Sequence, residues 1–171
     1  MRSSLSIRVV AEVSIVVALS TVLSMIKVYH LPQGGSITAG SMVPLLWLSL
    51  RRGPKVGLFA SALFGLIQFS LEPWFVHPIQ LLLDYPLAFG SIGLVGFFKR
   101  YSTVGVALAL FGRFASHFLS GVWFFAQYAP EGMSPYVYSA LYNGSYIVGE
   151  FIVSAVLIYI IIKKGLIDIY L

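Results

Sequence analysis

The sequence predicts an all-α integral membrane protein, a bundle of six transmembrane helices with both termini in the cytoplasm. Three observations predict it. Of 171 residues, 58% are hydrophobic and only 10% are charged, with a mean hydropathy of +0.91, whereas a soluble domain is closer to a quarter charged. The apolar runs are long and continuous, as helices crossing in about 20 residues require, rather than about ten residues long and alternating as in barrel strands. The basic residues gather at every second break between those runs.

That spacing fixes the topology. Arg2 and Arg8 precede the first run, Arg51, Arg52 and Lys55 form the RRGPK break, Lys99 and Arg100 form the next, and Lys163 and Lys164 follow the last. The intervening breaks, YHLPQGGSIT (29–38), LEPWFVH (71–77) and YAPEGMSPYVY (128–138), are poor in Lys and Arg. Positive charge marks the cytoplasmic side, so six spans are expected near residues 7–28, 39–51, 55–71, 78–98, 103–127 and 139–163. This length leaves no room for a separate soluble domain, so residues 1–171 read as one membrane domain. The net charge of +5 and pI near 9.6 are therefore topological and give no reason to invoke nucleic acid.

Each element has its own justification. Span one lacks the n-region, h-region and A-x-A pattern of a cleaved signal and is expected to be retained. Span two has only 13 residues, too few for the bilayer core, so it should tilt, thin the membrane or begin within a dipping loop. The LPQGG segment before it suits a tight turn, with a fixed φ at Pro32 and freely rotating backbone at Gly34 and Gly35. Small residues in span three (Gly57, Ala60, Ser61, Ala62, Gly65) and span four (Gly90, Gly93, Gly96) permit close helix approach. Span four also carries Asp84, Tyr85 and Pro86, the last able to bend the helix and free a carbonyl.

Spans five and six hold the polar, aromatic island of the chain. Arg113, His117, Gly121 and Phe125 recur at i, i+4 and form one stripe of span five; Ser139, Tyr142, Asn143, Tyr146 and Glu150 form another on span six. Polar groups at membrane depth are costly unless they face a cavity or each other, so the two stripes should line a pocket. Such a pocket suits a flat, polar, cationic ring through stacking, cation–π contact and hydrogen bonds. The outer segment APEGMSP between the stripes reads as its lid. Of the acids, Glu12, Asp84 and Glu150 fall within spans. Asp84 should meet Arg113, a cationic ligand or a proton. Glu150 is a second possible partner for Arg113, and Glu12, near the cytoplasmic end, should snorkel or pair locally.

No H-E-x-x-H, G-x-S-x-G or P-loop pattern is present. The three histidines, His30, His77 and His117, are dispersed, and there is no cysteine, so no metal site or disulfide is expected. A solute carrier without an ATP site must draw energy from an ion gradient or from partner subunits.

The segments LPQGGSITAGSMVPLLWLSLRRG, QLLLDYPLAFGSIGLVGFF and SHFLSGVWFFAQYAPEGMSPYVYSALYNGSYIVGE resemble the thiamine-specific S-component (ThiT) family of energy-coupling factor vitamin transporters. The likeness covers nearly the whole chain. It implies a six-helix protein that captures thiamine from outside and works with a transmembrane coupling subunit and two cytoplasmic ATPases, without a cofactor of its own. By this resemblance Asp84 supplies the electrostatic contact, with Tyr85 assisting, and stands where the family usually has Glu. His117, Tyr138 and Asn143 supply ring and hydrogen-bond contacts, Phe125 (commonly Trp) and Trp123 supply stacking, and Arg113 lines the site. Gln33, Gly34 and Gly35 stand where some members place a loop-one Trp. The small-residue surface that docks the coupling subunit would be Ser14 and Ala18. Two alternatives stay open: an S-component for another vitamin, or a small intramembrane enzyme using Asp84 and His117 as acid and base.

Overall fold

The computed structural model describes residues 6–167. Six helical segments run through it in the expected order: span one Ile7–Ser24, span two Val43–Arg52, span three Pro54–Leu71, span four Pro78–Phe97, span five Ser102–Phe124 and span six Pro135–Lys163. Five of these are long and apolar enough to cross a bilayer. Span two is not. Its ten residues reach only about 15 Å at 1.5 Å per residue.

The missing length comes from a β-hairpin, which the sequence reading had placed in span one and an outer loop. Span one ends at Ser24; strand β1 (Lys27–His30) then pairs antiparallel with β2 (Ser36–Thr38). Thr38 reaches Glu150 of span six, and Glu150 lies roughly 22 Å from the start of that span by helical rise. The hairpin therefore enters the bundle. Non-helical backbone is tolerated there because the two strands pair with each other and β2 packs against span six, with Thr38 buried, while β1 stays largely exposed. Its turn uses left-handed backbone at Gln33 (φ 62) and Gly34 (φ 93), the first an uncommon choice for a residue with a side chain.

Span two is the axis of the fold. Met42, Leu45, Leu46 and Leu48 are fully buried, walled by spans one, three and four. Spans three and four cross at glycines: a side chain at Gly93 would run into the backbone of Gly57 and Leu58, and one at Gly65 into the carbonyl of Tyr85. Span four is not one regular helix. It opens into a π-turn at Leu83–Leu87 and tightens to 3-10 geometry over Ser91–Phe97. Pro86 sits inside the π-turn, where its missing N–H breaks the regular ladder.

The basic end is neutralised locally. Glu12 takes two hydrogen bonds from Arg52, at 2.6 and 2.5 Å, and has Arg8 and Arg51 at 3.7 and 3.8 Å. Ser14 and Ala18 face outward from span one rather than packing within the bundle. The Ser14 hydroxyl is spent on the Val10 carbonyl of its own helix.

Candidate functional site

At the Lys/Arg-poor end, spans three to six and the hairpin turn enclose a cavity of about 330 Å³, within the range of small-molecule sites. Both predicted stripes reach it. Arg113, His117, Gly121 and Phe125 line one side, and Tyr138, Ser139, Tyr142, Asn143 and Tyr146 another. They meet because a side chain at Gly121 would collide with Ser139. The contact is locked by Ser139 Oγ donating to the Phe118 carbonyl (2.8 Å) and by Asn143 Nδ2 donating to the carbonyls of His117 (3.3 Å) and Ser139 (3.0 Å). Much of the Asn143 amide is thus committed to the helix crossing, and its Oδ1 accepts from Tyr146.

Asp84 and Tyr85 project from the π-turn, and both line the cavity. Asp84 Oδ1 meets His117 Nδ1 at 3.1 Å, and Oδ2 accepts from Gln80 Nε2 (2.7 Å) and Ser120 Oγ (2.9 Å). Of the three partners open to Asp84, Arg113 is not the one it meets: His117, one turn further along span five, stands between them. Glu150 does not pair with Arg113 either. Its Oε1 accepts from the backbone N–H (2.7 Å) and hydroxyl (2.8 Å) of Thr38, which anchors the hairpin. Arg113 instead lies over the Phe89 ring, 4.5 Å from its centroid, and donates to Met42 Sδ and His117 Nε2.

The hairpin turn forms one rim. Gln33, Gly34 and Gly35 line the cavity, held by Gly35 N–H donating to the Tyr142 hydroxyl (2.9 Å) while that hydroxyl donates to the Pro32 carbonyl. A β-carbon at Gly35 would sit 2.7 Å from the Tyr146 ring. Only glycine lets the turn lie this close to span six.

The other rim corrects the aromatic assignment. Trp123 is 61% exposed and is not part of the cavity wall; at i+2 from Gly121 it falls on the outward, lipid-facing side of span five. The indole at the site is Trp74, from the LEPWFVH break, with its ring edge-on to Phe125 at 6.3 Å. Two side chains of span four hold it there. The Tyr85 hydroxyl donates to the Glu72 carbonyl (2.8 Å) and accepts from Trp74 N–H (3.0 Å), while Gln80, fully buried, bonds the Trp74 carbonyl, the Val76 N–H and Asp84. Sequence reading missed Trp74, Gln80, Gln68 and Phe89. Gln80 had a usable signal, a long amide one turn before a membrane-depth carboxylate. The APEGMSP segment (129–135), expected as a lid, contributes no residue to the cavity wall; Tyr128 just before it and Tyr138 just after it do.

A family model described as thiamine transporter protein matches residues 10–168. The thiamine transporter ThiT of Bacillus subtilis (strain 168) is 37% identical over 166 residues, covering 86% of this chain and 86% of that one. A second thiamine transporter ThiT, from Lacticaseibacillus paracasei, is 27% identical over 160 residues, 80% of this chain and 77% of its own. The solved structure of ThiT from Listeria monocytogenes superposes with a TM-score of 0.83 at 26% identity, covering 92% of this chain and 94% of that one. These relatives are named as transporters, not enzymes. With its apolar spans and a match along nearly its whole length, this bacterial-type multi-pass membrane protein belongs to the thiamine transporter protein family.

Proposed function

We propose that the chain captures thiamine from outside in this cavity, as the substrate-binding component of an energy-coupling factor transporter. The observation that carries the reading is Asp84: a carboxylate in the wall of an aromatic-lined cavity, with no Lys or Arg within ion-pair distance among the described residues. A fixed thiazolium charge supplies the cation that such a group lacks. The aromatic rings of Phe125, Trp74 and Tyr138 suit the faces of the two heterocycles, and Asp84, His117 and the backbone of Gln33–Gly35 offer hydrogen-bonding partners to the aminopyrimidine. Tyr85 acts at one remove, by seating Trp74.

Energy then comes from partners, a transmembrane coupling subunit and two cytoplasmic ATPases, and the chain needs no cofactor. The outward Ser14–Ala18 face of span one supports that assembly, since small residues allow a partner helix to approach closely. Titration of the purified protein with thiamine by calorimetry or thermal shift tests the first part; no response at micromolar ligand would end it. Ser14→Trp tests the second. Thiamine binding should persist while uptake in cells carrying the partner subunits is lost, and unchanged uptake would remove this face from the assembly.

A further inference from the structure

We infer that Arg113 is a positioning residue that holds the single ring proton of His117 on Nδ1, keeping the imidazole neutral so that Asp84 retains its negative charge for a cation. A guanidinium donates through every N–H and accepts nowhere. Arg113 Nε donates to His117 Nε2 at 3.4 Å, so Nε2 carries a lone pair. The ring's proton then lies on Nδ1, which faces Asp84 Oδ1 at 3.1 Å. In a histidine, the bond made by one nitrogen sets the protonation of the other.

A second proton has no place on this ring. On Nε2 it would point donor against donor at a guanidinium. Arg113 cannot readily turn aside: it is 8% exposed, stacked on Phe89 and held at Met42 Sδ. The surroundings of the imidazole are otherwise unable to take over its role. Span four presents Asp84, and span six presents the Tyr146 ring edge-on at 6.1 Å. Asn143 reaches only the His117 backbone carbonyl. At longer range Glu150 interacts with Arg113, and Glu72 on the outer rim is paired with Lys27.

The consequence is electrostatic. All three side-chain partners of Asp84, namely Gln80, Ser120 and His117, are then neutral donors, and its charge is left for the ligand. Without Arg113, the imidazole beside Asp84 would take a second proton as pH falls and would occupy the place of the cation. This consequence rests on the thiamine reading of Asp84; the proton position does not.

Two measurements test it. In the full chain labelled with 15N-histidine, with His117 assigned by comparison with His117→Gln, a pyrrole-type Nδ1 and a pyridine-type Nε2 are expected throughout pH 6 to 8, a window that contains the ordinary histidine value of about 6.5. A protonated Nε2 in that window overturns the inference, whether or not any variant folds. By calorimetry, wild-type thiamine affinity should vary by less than about twofold across the window, while Arg113→Met should lose about tenfold or more from its upper to its lower end. A flat profile in Arg113→Met also overturns it. Absence of thiamine binding in the wild type together with the Nδ1–H tautomer supports the proton assignment and defeats the transport reading instead.

Discussion

Two carboxylates within the helices of this protein, Glu12 and Asp84, have opposite surroundings. Glu12 at the basic end has Arg52 bound at both oxygens and Arg8 and Arg51 within 4 Å. Asp84 at the other end has an amide, a hydroxyl and an imidazole, and a cavity in front of it. An acid already matched by cations has nothing left to offer a ligand. One that is hydrogen-bonded but not charge-matched is oriented and still attractive to a cation, which is how a structural acid and a binding acid come to differ.

The comparison breaks most directly at Asp84. Asp84→Asn keeps the shape and removes the charge, and should weaken thiamine binding by about 100-fold, about 2.7 kcal/mol, measured by calorimetry. A loss under about threefold would mean that the charge does not meet the ligand. The rim comes next: Trp74→Ala should cost about tenfold through lost stacking and cation–π contact, whereas Trp123→Ala should leave affinity within about twofold. The reverse order would return the stacking role to span five. At the opposite rim, Gly35→Ala should cost about fivefold, because its methyl group must displace Tyr146 or lift the turn. Equal affinity would show that the hairpin turn is not fixed against span six.

The smallest effect on binding is expected at the matched acid. Glu12→Gln removes the carboxylate charge that binds Arg52 and lies within 4 Å of Arg8 and Arg51, so the melting temperature of the detergent-solubilised protein should fall by a few degrees. Thiamine affinity should stay within about twofold, because Glu12 is at the far end from the cavity. A strong loss of binding would mean that the two ends are coupled and that the contrast drawn between them is incomplete.

Much of this was legible in the chain itself. The i, i+4 spacing of Arg113, His117, Gly121 and Phe125 is a property of any helix, so their common face followed without knowledge of neighbours. The Ser139 to Glu150 stripe followed in the same way, and so did the membrane-depth cost that marked Asp84. Trp123 failed for a related reason: proximity in sequence to Phe125 does not give proximity in space, because residues two apart on a helix point about 200° apart, on nearly opposite faces. Nothing local could place Trp74, because its position depends on Tyr85 and Gln80 of another segment.

The hairpin gives the same lesson at the scale of backbone. The shortness of span two was readable, and it required some compensation. That the compensation is a strand pair anchored by Thr38 on Glu150 depends on a buried carboxyl group more than a hundred residues away in the chain. The sequence by itself determined the solvent, the order of the helical segments and the faces that carry polar groups, since these follow from local hydropathy and helical period. Only the tertiary structure decided which polar groups meet: that His117 separates Asp84 from Arg113, that Glu150 secures the hairpin, and that Trp74 supplies the indole. Those pairings join residues on different segments, and their geometry exists only once the segments are packed.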